Sequence, residues 1–548
     1  MSMEADRPAA VPGEQGGGPL ASSAVAAGIL LSRIAGLLRE RVFAQYFGTT
    51  LYADVFRAGL RMPNVLQNLL GEGTLSASFI PVYSELLEQG RKEEAGRVAG
   101  AIFSLLFVVA GALALIGVLL SPLLVSVFLP GFEGERRALS ITVSRIIFPM
   151  TGLLVLSAWA LGILNSHRKF FISYVAPVVW NGAMIATLVI AGGRLSLDRL
   201  VVALAWGALL GGLLQLLLQL PWVLRLDREL AISVNWRLPP VREAIRNAGP
   251  AILGRGVVQL SGYVDFVLAS LLAAGAVAAI GYAQTIFILP VSLFGMSVAA
   301  SELPELSRRR TSPVEELRER TNASLERIAF FVIPSFVAFV ALGDAIVAAL
   351  YQTGEFVRSD TLLVYLTLVG FSIGLIASTG TRLFSSTFFA LRDTKTPARY
   401  AAVRVLTAAT LGFVLMSQFE AVQPLGIGPG IFAGTTVGGR TLGPVGLAMG
   451  SGIAAWIEWV LLRRRLKERI GPVGARFAIL WRMFSAALIA AAVGWGVRML
   501  FGGFHPSLSA VAIFAAYGIV YFLIADRLGL EEASRVSRRI LRPLRRRG

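Results

Sequence analysis

The feature that most limits what this chain can fold into is the recurrence of long apolar runs along its whole length. Ala101–Val125, Val201–Leu220, Phe330–Leu350 (interrupted by Asp344) and Phe484–Val497 are examples. About 20 such residues in helical form cross the hydrocarbon of a bilayer, and a chain with many of them cannot hide them in one water-soluble core. A transmembrane barrel would show short strands of alternating polarity instead, and that alternation is absent. The reading is an all-α polytopic membrane protein. Charged residues make up only 15% of the chain, against roughly 25% in soluble proteins, which agrees.

Apolar runs, read against turn and charge signals, predict about 14 transmembrane helices. They fall near 22–46, 52–86, 97–123, 138–165, 171–191, 199–221, 245–272, 277–304, 325–351, 359–389, 398–418, 440–463, 479–501 and 505–525. The corresponding organisation is a disordered cytoplasmic tail (1–20), an N-terminal transmembrane lobe (21–221) and a cytoplasmic linker (222–244). A C-terminal lobe (245–418), a Gly-rich external loop (419–439), a membrane extension of two to three helices (440–526) and a basic cytoplasmic tail (527–548) follow.

The formal charge of +18 would suggest nucleic acid in a soluble protein. Here the positive residues stand mainly between apolar runs, so they report topology and no nucleic-acid partner is expected. Clusters such as Arg91/Lys92/Arg97, Arg168/Lys169, Arg308/Arg309/Arg310, Arg392/Lys395/Arg399 and Arg463/Arg464/Arg465 fall on one side and place both termini in the cytoplasm. The basic tail through Arg542 and Arg545/Arg546/Arg547 suits anionic membrane lipids. With no cysteine and only His167 and His505, disulfide, thiol and histidine-metal chemistry are excluded or remote. There is no phosphate-binding loop or hydrolytic triad, so covalent chemistry is not expected.

The two parts of the chain echo each other. Ile29–Arg33 is matched by Ile252–Arg255, Pro63 by Pro290, and Asn165–Phe170 by Arg392–Pro397, all at nearly the same separation. Such a duplication, with an even number of helices per copy, implies two pseudo-symmetric lobes around a central cavity.

Polar residues inside helices mark that cavity. Asp54, Arg57, Arg61, Asn64, Asn68 and Glu72 recur at three- or four-residue steps on one face of the second helix. Facing lipid, this stripe would be costly; facing a wet cavity, Asp54 and Arg57 can pair while Arg61 stays available to a ligand. A buried interhelical network is the competing reading. Arg33 and Glu40 share one face of the first helix and Arg39 points elsewhere, toward the rim. Arg255, Gln259, Tyr263 and Asp265, with Gln284 nearby, are candidates to continue the chemistry in the second half. Arg33 and Arg255 are opposed candidates for phosphate, which suits the guanidinium fork; Arg145, Arg382 and Arg404 are further candidates. Pro63, Gly71, Gly73 and Pro290 are candidates for gating, because proline and glycine loosen a helix.

Leu31–Glu40, Ala53–Phe56, Met62–Asn64, Gly71–Gly73, Phe79–Val82, Gly249–Gly254 and Asp393–Pro397 together resemble the MurJ/MviN lipid II flippase family, within the multidrug/oligosaccharidyl-lipid/polysaccharide exporter superfamily. The resemblance implies fourteen helices, two lobes and a cationic central cavity. It implies a bacterial inner-membrane transporter that moves undecaprenyl-pyrophosphate-linked peptidoglycan precursor to the outer leaflet by alternating access. Arg33, Arg39, Arg61 and Arg255 are the substrate-binding candidates; Asp54, Arg57, Asn64, Asn68, Glu72, Gln259, Tyr263 and Arg382 support them. No cofactor is implied; the membrane potential or a monovalent ion is the candidate drive, and cell-wall synthesis proteins are candidate partners. Gln67 and Thr285 stand where the family carries arginines. A flippase for another polyprenyl-linked oligosaccharide is therefore an alternative, as is a non-transporting scaffold or signalling protein; the arginine excess argues against export of organic cations.

Overall fold

The computed structural model describes residues 19–296, 298, 302, 314–422, 425–501 and 503–534, without the side chains of 19–27, 29, 251, 253–262 and 296. The expected tail 1–18, the cluster Arg308/Arg309/Arg310, Pro304 and the basic end from 535 onward lie outside these residues, as do the side chains of Arg255 and Gln259.

Sixteen helices are defined among the described residues. The first seven are α1 (Pro19–Phe47), α2 (Leu51–Leu70), α3 (Glu72–Glu88), α4 (Lys92–Phe128), α5 (Gly134–Ser166), α6 (Phe170–Ala191) and α7 (Leu197–Leu226). Then come α8 (Pro239–Ser270), α9 (Ala276–Pro290), α10 (Val314–Tyr351), α11 (Arg358–Ser372) and α12 (Leu375–Ala390). The last four are α13 (Lys395–Phe419), α14 (Gly443–Ile470), α15 (Phe477–Phe501) and α16 (Pro506–Arg527). Helices α1 to α7 pack chiefly on one another, α9 to α14 on one another, and α15 with α16 against α10, while α8 also packs on α3 and α4. Among the described residues ten helices are long and apolar enough to cross a membrane, or eleven counting α11 and α12 as one span bent by 42°. Of the expected segments, α2, which carries Asp54, Arg57 and Arg61, and the 17-residue α3 are individually too polar or too short to count among them.

The second expected helix does not run unbroken through 86. Pro63 sits buried inside α2 without ending it, and the break comes at Gly71, whose backbone leaves the helical region. The tenth expected helix likewise divides between Ser372 and Leu375. The linker 222–244 is shorter than expected, because α7 continues to Leu226 and α8 starts at Pro239. The loop before α14 carries a two-stranded antiparallel hairpin, β1 (Thr436–Val437) with β2 (Arg440–Thr441). Gly438 and Gly439, with φ of 59° and 79°, form its two-residue turn, the left-handed pair that matches strand twist. Arg440 then reaches the buried Asp360 at 2.9 Å, which ties the hairpin to α11.

One echo between the halves is visible in the backbone. The α5–α6 turn and the α12–α13 turn each place an arginine, Arg168 and Arg392, in the left-handed region at φ of 59° and 60°. Each is followed by an amide that bonds back five residues, Lys169 to Leu164 and Asp393 to Phe388, the double closure of a Schellman motif. The structure thus aligns Arg168 with Arg392, where the sequence echo had paired Asn165 with Arg392.

Candidate functional site

A cavity of about 170 Å³ lies between α1 and α2 on one side and α8 and α9 on the other. Its wall contains Arg39, Glu40, Arg57, Arg61 and Asn64 from the first helix group, with Asp265, Phe266, Gly281 and Gln284 from the second. Three cations face two carboxylates, so the lining is polar and close to neutral, with a small positive excess.

The charges are ordered. Glu40 takes Arg39 on one oxygen at 2.7 Å and Arg57 on the other at 2.6 Å. The Arg57 guanidinium lies 4.2 Å from the Tyr282 ring centre, and a Cβ at Gly281 would come within 2.7 Å of its Nη1. The absent side chain at 281 is what makes room for it. Arg61 lies over Tyr263 and Phe266, and the Tyr263 hydroxyl donates to the Arg61 carbonyl at 2.6 Å, so Tyr263 braces α2 against α8. A carboxylate bridging two guanidiniums satisfies the strong preference of buried charge for partners.

Several expected placements change. Asp54 does not pair with Arg57 and does not line the cavity. It is fully buried, binds Arg136 at 2.6 Å, and accepts the Gly275 and Ala278 amides at 2.6 and 2.7 Å. Those amides open α9, where unsatisfied N–H groups and the helix dipole favour an anion. Arg33 shares an azimuth with Glu40 but sits seven residues earlier, roughly 10 Å along the axis, off the cavity wall, and it is exposed. Arg39, expected at the rim, lines the cavity. Asn68, Glu72, Arg145 and Arg382 are exposed and off its wall, and Arg404 is held by Glu458 at 3.1 Å. Arg255 and Gln259 lie on α8 with side chains outside the described residues. Gly73 falls in the first turn of α3, and Pro290 closes α9, which passes into a π-helical stretch, Val291–Met296. Gln67 and Thr285 do not line the cavity; Thr285 bonds its own helix at Gly281.

The face carrying the 48–50 turn is sealed between the helix groups by a mixture of main-chain and side-chain bonds. The Glu355 amide donates to the Gln45 carbonyl at 2.8 Å, the Tyr282 hydroxyl to the Gly48 carbonyl at 3.2 Å, and Thr49 to Asp360 at 2.6 Å. Arg41 reaches across to the Ala349 and Leu350 carbonyls at the end of α10. Gly131 lies against Ser270 and Gly275 against Thr49 so closely that a Cβ at either would overlap the opposing carbonyl. None of these contacts was visible in the sequence, since each joins residues far apart in the chain. The Glu40–Arg57 pair was within reach: both are intramembrane charges of opposite sign on consecutive helices.

Membrane-length helices that enclose a charged chamber, closed on one face by contacts between two helix groups, define a membrane transporter. Residues 43–517 match the family model described as lipid II flippase MurJ, and the chain belongs to that family. A probable lipid II flippase MurJ of Rhizobium tropici is 30% identical, covering 93% of this chain and 94% of its own. Among solved structures, a lipid II flippase MurJ in an inward closed conformation superposes with TM-score 0.72 at 22% identity, covering 95% of this chain and 99% of that one. An inward-facing multidrug resistance MATE family transporter of the MOP superfamily gives 0.60 at 18%, covering 82% and 98%. At these identities both likenesses are of fold.

Proposed function

We propose that this chain is a flippase that carries lipid II, the undecaprenyl-pyrophosphate-linked peptidoglycan precursor, from the inner to the outer leaflet of the bacterial inner membrane. The observation that carries the reading is the cavity between the two helix groups, where Arg39, Arg57 and Arg61 converge. Guanidiniums in a partly dehydrated chamber suit a pyrophosphate. The family assignment supplies the rest of the substrate.

In this reading the helices form fourteen passes, with α2/α3 and α11/α12 as broken ones, in two lobes with both termini cytoplasmic. The sealed 48–50 face is then external and the cavity belongs to the inward side of an alternating-access cycle. A volume of about 170 Å³ is below the roughly 300–1,000 Å³ of pockets that hold drug-sized ligands. The lobes therefore separate to admit glycan and peptide, and Arg33 meets the headgroup at the entrance. Transport needs no covalent step; the membrane potential acts on any charge that moves, by about 2.3 kcal/mol per charge per 100 mV. Anionic lipids and cell-wall synthesis proteins are the partners this placement brings within reach.

The test is rescue of a cell depleted of its own flippase, with lipid II in the outer leaflet as readout. Correctly inserted protein that leaves the precursor inside refutes the assignment.

A further inference from the structure

Glu40 contacts two cavity arginines at once. It uses both oxygens on them, one on Arg39 and one on Arg57. A ligand phosphate approaching those guanidiniums meets donors already occupied by an anion of the protein. Arg57 in turn stands between the helix groups: Glu40 on α1 holds one end, while Tyr282 and Gly281 on α9 pack against the guanidinium. Its Nε is buried and bonded to nothing, so the side chain holds a donor that Glu40 does not satisfy.

We propose that Glu40 is an internal stand-in for the substrate anion, which keeps Arg39 and Arg57 paired and yields them when a diphosphate headgroup binds. The inference rests on the flippase reading and adds a selectivity role to one residue. A ligand must out-compete a tethered carboxylate. A diphosphate offers more charge and more oxygens than Glu40 and succeeds, whereas a monoanionic headgroup does not. Because Arg57 also bears on α9, the exchange alters a contact between the helix groups at the moment of loading. Glu40 is a positioning residue, acting on the substrate through the arginines.

The experiment is titration of the full-length protein, in nanodiscs of zwitterionic lipid, with inorganic pyrophosphate and, separately, inorganic phosphate. Glu40→Gln, which keeps the shape and removes the charge, is expected to bind pyrophosphate roughly tenfold tighter than wild type or better. It is also expected to narrow the preference for pyrophosphate over phosphate. Glu40→Asp, too short to span both arginines while keeping the charge, is expected to fall between the two and guards against a folding defect in the amide variant. Glu88→Gln, an exposed acid on α3, is expected to match wild type. Affinity in both Glu40 variants equal to or weaker than wild type overturns the proposal. If Arg39→Gln and Arg61→Gln also leave pyrophosphate affinity untouched, the fault lies with the cavity as the anion site; if those two weaken it, only the role of Glu40 falls.

Discussion

Replacing Asp54 by asparagine should unlatch the sealed face. The carboxylate makes three contacts, and they divide unequally between states. Its pair with Arg136 lies within the first helix group, so it persists however the groups move. Its bonds from the Gly275 and Ala278 amides cross to α9 and exist only while the face is closed. A hydrogen bond to a charged group contributes about 1.5–3 kcal/mol. Asparagine keeps one acceptor oxygen and turns a donor toward the other amide. The differential loss is therefore about 2–3 kcal/mol, which moves the closed-to-open equilibrium by roughly 30- to 150-fold. The chain has no cysteine, so Gln45→Cys with Glu355→Cys introduces the only two thiols, at positions joined by a 2.8 Å main-chain bond. Oxidative cross-linking of this pair should be ready in the otherwise unaltered protein and fall markedly with Asp54→Asn. Equal cross-linking in both, together with a lowered melting temperature, would show that Asp54 only buttresses its own helix group and would refute the latch.

Three further outcomes are expected. Gly281→Ala, whose methyl would stand 2.7 Å from the Arg57 Nη1, should displace that guanidinium and slow flipping in reconstituted vesicles by roughly tenfold or more, with thermal stability nearly unchanged. His167, in the α5–α6 turn, has its imidazole held below the ordinary 6.5 by burial, with Lys92 and Lys169 adding to the effect and Asp227 opposing it. The unfolded chain then takes up a proton at higher pH than the folded one, so stability is lost as pH falls from about 6.5 toward the folded value. His167→Gln should flatten the melting temperature between about pH 7 and 5.5, and an unchanged slope would rule this origin out. Arg168→Gly should stabilise the fold by about 1 kcal/mol by relieving the left-handed backbone, measured by denaturation in detergent.

The class of fold and the position of nearly every helix were legible because hydrocarbon imposes a length and a polarity on each crossing. The site was legible only by azimuth. The three-and-four spacing put Arg57, Arg61 and Asn64 on one face, and all three line the cavity. The same spacing put Asp54 with them, and there it failed, because Asp54 lies about one to three turns of helix nearer the sealed face, and its partners are Arg136 and backbone amides at the start of α9, which carry no sequence signal. Arg33 shows the converse error, with the right face and the wrong depth. Arg39, set apart from Glu40 by the helical wheel, meets it because adjacent long side chains can bend toward one another. The break at Gly71 rather than Pro63 has a local cause: proline fits within a helix that neighbours support, whereas Gly71 takes an extended conformation with φ of −82° and ψ of −150°.

Most contacts in the seal at the 48–50 face use a backbone carbonyl or amide on at least one side, and glycines let the chains approach. Peptide groups are the same in every homologue, whatever side chains surround them. A compound wedged into that seam would meet backbone groups that side-chain substitution leaves in place, so escape would fall to its glycines and to the few side chains that bridge it, Asp54, Thr49, Tyr282 and Asp360 among them.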